Sequence, residues 1–143
     1  MQDLKETCRL ALVQASPVMF DKAASLKKAL TWIEKSAAQG AELVVFPELF
    51  LPGYPFGMTF GFKVGSRDEE GRKDWKLYYD NSVVCPGAET EALGAAAKKH
   101  HIYLSIGVSE RDDTTGTLYN TNIMFTPDGT LASIHRKLKP TGA

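Results

Sequence analysis

The chain has 143 residues, 43% of them apolar and 24% charged, proportions that fit one soluble globular domain with enough length to bury a core. Lys and Arg together number 17, as do Asp and Glu, so the formal charge is zero and no net field recruits nucleic acid or an anionic membrane. Two cysteines, Cys8 and Cys85, make no disulfide framework, and no CxxC or Cys/His cluster suggests a metal site.

The polar start, Met1 to Glu6, lacks the apolar run of a signal peptide, and no stretch of about 18 apolar residues exists to span a membrane. A cytoplasmic α/β chain is the expectation. Residues 9–14 form an apolar run that predicts a short buried strand, ended at Ser16-Pro17. Asp21 is placed to cap a helix, since its carboxylate can accept from the free N–H groups of a first turn. Ala24, Leu26, Ala29, Leu30, Ile33 and Ala37 then recur at helical spacing, and Gly40 stops the helix. Residues 42–46 predict a second strand, parallel to the first through the intervening helix, and Pro47 ends it.

Residues 49–71 are long and irregular, with glycines and prolines set among Tyr54, Phe56, Phe60 and Phe62. A structured loop of that length is uncommon and usually functional. A short helix is predicted over 73–81, a break at Pro86-Gly87, an alanine-rich helix over 89–100 and a third strand over 102–108. Two more strands, 118–125 and 130–134, are joined at Pro127-Asp128-Gly129, a good hairpin turn. The last residues, Lys139 to Ala143, do not read as a natural domain end, because no element follows to cover the basic run at 135–139.

Glu48 follows a very apolar strand, at the kind of strand end where open α/β sheets bind ligands. Aromatic neighbours would desolvate it, raise its pKa and suit it to general base work. The plain alternative is a solvated acid or a helix cap. Lys137, at the end of the last strand, could offer a fixed ammonium to a developing negative charge at the same sheet edge; the alternative is a surface lysine in a basic run. Cys85 lies in an apolar setting that would keep its thiol protonated and inert, and Cys8, at a strand start, reads the same way. His100 and His101 close a helix, where the dipole favours them, and His135 reads as a plain strand histidine.

Several segments, in order, carry a resemblance. Phe46-Pro47-Glu48 followed by Gly53-Tyr54-Pro55 resembles the first signature of the nitrilase superfamily of carbon–nitrogen hydrolases. The stretch Gly57 to Gly61, with Arg67 and Gly71, resembles nitrilases proper more than amidases or carbamoylases. Residues 82–87 resemble the Val-Pro-Gly step of the family, with Cys85 in place of valine. Leu118-Tyr119-Asn120-Thr121, then His135-Arg136-Lys137-Leu138-Lys139-Pro140-Thr141, complete a match running from about Arg9 to Thr141.

The resemblance implies an αββα sandwich, with residues 1–143 forming the N-terminal half of a single longer domain. It implies Glu48 as general base and Lys137 as the stabilising cation. The nucleophilic cysteine would lie beyond this chain, in a segment resembling Cys-Trp-Glu. The implied reaction converts a small-molecule nitrile to an acid and ammonia without cofactor or metal, through a cysteine thioimidate. Tyr54, Phe56 and Phe60 would line the substrate pocket, although each could equally pack as core. A complementary C-terminal piece and a homo-oligomer are the implied partners, and the isolated chain is expected to be inactive. An amidase or carbamoylase of the same superfamily, or a non-catalytic interaction module, are the alternatives.

Overall fold

Five strands and three helices follow one another in the computed structural model, which describes residues 7–60 and 69–139. Gly61, Phe62, Gly65 and Arg67 of the aromatic loop, and the closing Pro140-Thr141, lie outside the described residues. The elements are β1 (Leu10–Leu12), α1 (Lys22–Ala38), β2 (Leu43–Val45), α2 (Glu69–Asp80), α3 (Ala88–His100), β3 (Tyr103–Arg111), β4 (Leu118–Phe125) and β5 (Leu131–Arg136). The strands form one sheet in the order β1-β2-β3-β4-β5. β1, β2 and β3 run parallel, and β3, β4 and β5 antiparallel. No described helix is long and apolar enough to cross a membrane.

α1 forms as its end signals dictate. The Asp21 side chain accepts from the Ala24 N–H at 2.8 Å, satisfying a donor that the first turn leaves open. At the other end Gly40, at φ +80°, donates its N–H to the Ala37 carbonyl. Ser25, Ala29, Ile33 and Ser36 form the buried stripe between those ends. α1 and α3 cover one face of the sheet. Ile33 from α1 and Leu93 and Ala97 from α3 meet Val44, Leu104, Ile106 and Ile123, all fully buried. Truncating such a side chain to alanine costs about 2–5 kcal/mol.

Much of the other face is open, although residues 47–49 rest on Gly107 and Ser82 donates to Ser109. Side chains alternate across a strand, and the register aligns Leu10 with Leu43 and Leu43 with Tyr103. Those residues, with Leu12 and Met124, point away from the helices, and Leu12 is 72% exposed and Tyr103 49%. The buried strand expected over 9–14 is therefore corrected. β1 is a three-residue edge strand that turns Leu10 and Leu12 to the uncovered face, with Ala11 packed against the core.

Other boundaries differ from expectation as well, and β5 reaches Arg136 where the strand was expected to end at residue 134. Among the described residues α2 is already helical at Glu69, four residues before the predicted start, and Glu69 and Glu70 are acidic residues of the kind a helix N-terminus favours. β3 continues past Val108 to Arg111, pairing Ser109 with Asn120 and Glu110 with Tyr119. The charged residues that ended the apolar run do not end the ladder, because Glu110 is neutralised within the sheet.

Candidate active site

Glu48 owes its position to an arch in the chain. Phe46 still donates to the Ser105 carbonyl at 2.8 Å, so the ladder runs one step past β2. Pro47 has no N–H to continue it. The chain leaves the sheet over residues 47–49 and returns at Leu51, which bridges to Val108 of β3. Leu49, Phe50 and Leu51 are buried, which ties down the far side of the arch. The arch rests directly on Gly107. A Cβ there would lie 2.6 Å from the Glu48 Cα, the Leu49 N and the Pro47 O, so only glycine lets the two backbones approach this closely. Leu49 takes a left-handed conformation, φ +50°, to make the turn.

Two donors converge on Glu48. Lys137, one residue past β5, brings its Nζ to 2.8 Å from Glu48 Oε1. Asn120 of β4 donates its side-chain N–H to the same oxygen. The pieces lock together, because the Lys137 backbone N–H also donates to the Asn120 carbonyl at 2.8 Å. Gly107 and Asn120 share the open face of the sheet by register, so all three side chains meet there.

The electrostatics correct one expectation. Glu48 is nearly half exposed, and its carboxyl is held below its ordinary pKa. The Lys137 hydrogen bond is the main cause and the Asn120 hydrogen bond the next, and together they outweigh the desolvation that was expected to raise it. The same hydrogen bond raises Lys137, which stays charged at neutral pH. The site is a fixed carboxylate–ammonium pair with an amide donor beside it.

The aromatics separate. Tyr54 is half-buried and lies close enough to Lys137 to influence its charge. Phe60 packs edge-on against Trp75, with centroids 5.5 Å apart, and stacks on Tyr78 at 5.7 Å. Phe56 is 90% exposed. A groove of about 540 Å³ opens beside the arch, lined by Leu12, Ser16, Val45, Phe46 and Pro47 among others.

Cys85 behaves as its setting predicts: burial, then the charges of Glu110 and Glu89, push its thiol up to about 12. Cys8 does not, because it is exposed ahead of β1 and packs no core. His101 takes the left-handed capping position after α3, and His135 pairs across the sheet with Asn122. Among the described residues no group of three His, Cys, Asp or Glu side chains is placed to hold a metal.

Sequence reasoning named Asn120 within a motif but gave it no role. The available signal was Asn120 and Asn122, two strand-averse residues on one face of β4, where packing alone would favour β-branched or aromatic side chains.

An arch-borne glutamate thus pairs with a lysine at the end of an antiparallel strand on a helix-backed mixed sheet. The model of the carbon–nitrogen hydrolase family matches residues 9–142, and the chain belongs to that family. It is 50% identical over 135 residues to an aliphatic nitrilase of Sinorhizobium fredii (strain HH103), an alignment covering 94% of this chain and 43% of that protein. It is 45% identical to nitrilase 2 of Arabidopsis thaliana, across 93% of this chain and 39% of that one. Among solved structures, Saccharomyces cerevisiae Nit3, a member of branch 10 of the nitrilase superfamily, superposes with a TM-score of 0.67 at 30% identity. That match covers 91% of this chain and 44% of Nit3. The chain thus spans about two fifths of the length of the curated relatives it matches.

Proposed function

We propose that this chain is the N-terminal part of a nitrilase and supplies the proton-transfer and charge-stabilising half of its active site. The observation that carries this reading is the 2.8 Å contact between Lys137 Nζ and Glu48 Oε1, set by two different strand ends on one open face. The names of its relatives favour nitriles as the substrate class.

The chemistry then runs in two halves. A cysteine thiol attacks the carbon of R–C≡N, its proton passing through Glu48 to the nitrogen, and gives a thioimidate. Water adds, ammonia leaves, and a second water releases the acid from the resulting thioester and restores the thiol. Glu48 carries the protons, and Lys137 stabilises the charge that grows on the tetrahedral intermediates. No step calls for a metal or cofactor. Neither cysteine here fits the nucleophile: Cys85 is held protonated near pKa 12, and Cys8 is exposed beyond the start of β1. The nucleophile would come from a complementary C-terminal piece, whose second sheet would cover the open face bearing Leu10, Leu12 and Tyr103. Homo-oligomers of that completed domain are part of the same proposal.

Of the aromatics we assign to the substrate, Tyr54 would line the site from its half-buried place in the loop after the arch. Phe60 would shape the wall from its stack with Trp75 and Tyr78, and Phe56 would need the second half of the domain to cover it.

The test compares residues 1–143 alone with the same residues joined to their C-terminal continuation, measuring ammonia and acid released from aliphatic and aromatic nitriles and from the matching amides. Turnover of nitriles by the joined protein alone is expected. Turnover by residues 1–143 alone would overturn the division of labour, and turnover of amides alone would move the protein to the amidases.

A further inference from the structure

The end of β5 has to be held in one register for Lys137 to reach Glu48. A slip of one residue turns every side chain of a strand to the opposite face. The usual restraint on register is a buried apolar face, and β5 lacks one: Leu131 is partly buried, and the five residues that follow are exposed. The hairpin restrains the pairing from its turn, where the ladder carries an irregularity between Met124 and Phe125, and Arg136 at the far end of β5 is the part most distant from that restraint.

A polar clamp sits at that far end. Glu110 of β3 is buried, with 3% of its surface exposed. Arg136, the last residue of β5, grips it with both ends of its fork: Nη2 donates to Oε1 at 2.7 Å and Nε to Oε2 at 3.0 Å. Thr121 of β4 donates its hydroxyl to Oε2 at 2.7 Å. The Arg136 guanidinium also lies over the Tyr119 ring, 3.9 Å from its centroid. Thr121 stands opposite Arg136 in the register, so the clamp spans β3, β4 and β5. A bidentate guanidinium–carboxylate pair is directional as well as strong, which is what register requires.

We propose that the Glu110–Arg136 pair is a positioning device for Lys137, acting from the helix-covered face to hold the ammonium on the open face. Arg136 and Lys137 are adjacent, so fixing one toward the helices turns the other toward Glu48. The Lys137 N–H bond to the Asn120 carbonyl then extends the ladder by one step. Asn120 thereby holds Lys137 by its backbone while its side chain holds Glu48. The catalytic consequence rests on the function proposed above; the positioning does not.

The experiment is carried out on the intact protein, with exchange of the Lys137 amide and the NMR titration of the Glu48 carboxyl as readouts. The first variant is Glu110→Met with Arg136→Met. It removes both charges of a pair whose carboxylate is buried, a change that folds often tolerate, while removing the directional contact. Expected are a retained fold, at least tenfold faster exchange of the Lys137 amide, and a Glu48 titration moved up toward that of an ordinary carboxylate. Unchanged exchange and titration in a folded variant would overturn the proposal. Arg136→Lys keeps the charge and loses the fork, and decides the matter if the double variant fails to fold: it should reproduce part of both shifts, and wild-type behaviour would count against the clamp. In the complete enzyme kcat should fall about tenfold or more at unchanged KM. A loosened Lys137 with unchanged kcat would leave the clamp standing and remove Glu48 and Lys137 from the chemistry.

Discussion

Lys137 Nζ and Glu48 Oε1 meet at 2.8 Å although 89 residues of chain separate them. Glu48 arrives on an arch after a parallel strand, and Lys137 one residue past the last antiparallel strand. Neither side chain is deeply buried, so the contact is a matter of backbone geometry more than of packing.

Glu48→Gln keeps the shape of the side chain and removes its charge and its capacity as a base. In the complete enzyme it should lower kcat by at least about a hundredfold, since members of a catalytic unit fail together, with the circular dichroism spectrum unchanged. Ammonia release is the measurement, and near-normal rates would exclude Glu48 as the base.

Gly107→Ala places a methyl group where the arch backbone already sits, 2.6 Å from the Glu48 Cα. The arch must lift, at a cost of about 1–3 kcal/mol typical of an overpacked site. Chemical denaturation should show that loss. The Glu48 titration should rise as well, because the Lys137 and Asn120 hydrogen bonds that hold it down would lengthen.

Acid should act on Glu110. Burial alone would raise its carboxyl, but the Arg136 and Thr121 hydrogen bonds prevail and hold it below its ordinary value of 4.5. A depressed carboxyl stabilises the fold fully above its unfolded pKa, and that contribution is lost as pH falls through the lower, folded value. The melting temperature of the wild type should therefore fall below about pH 4.5 more steeply than that of the Glu110→Met, Arg136→Met variant. Parallel pH profiles would show that the pair contributes nothing through this linkage.

The cysteines should separate by reactivity. At pH 8 Cys8, exposed, should react rapidly with a thiol reagent, and Cys85, half-buried with its thiol pushed up to about 12, far more slowly. Cys85→Ala should leave most activity of the complete enzyme in place. Equally rapid labelling of both in the native protein would contradict the partial burial and raised thiol of Cys85.

Local signals were enough to read α1 and the β4–β5 hairpin, because Asp21, Gly40 and the Pro127-Asp128-Gly129 turn act within a few residues of themselves. The position of Glu48 at a strand end was legible for the same reason. What was not legible depends on partners distant in sequence. β3 runs on to Arg111 because Arg136 neutralises Glu110, and an apolar-run criterion stops at the charge. Glu48 is lowered because Lys137 and Asn120 reach it, and its aromatic neighbours in sequence suggested the opposite. The exposure of Leu10 and Leu12 follows from the uncovered face they share with Tyr103, which an apolar run does not reveal.

The mixed sheet also divides the molecule in time. β4 and β5 are joined by a tight turn, and such local pairing forms quickly. β2 reaches β3 only after the long connection through α2 and α3, a closure that is slower because more chain must be ordered first. Glu48 belongs to the slow half and Lys137 to the fast one, and β3 is the seam between them. Their contact can close only when the seam is complete, so it serves as a natural gauge of whether the whole sheet has formed.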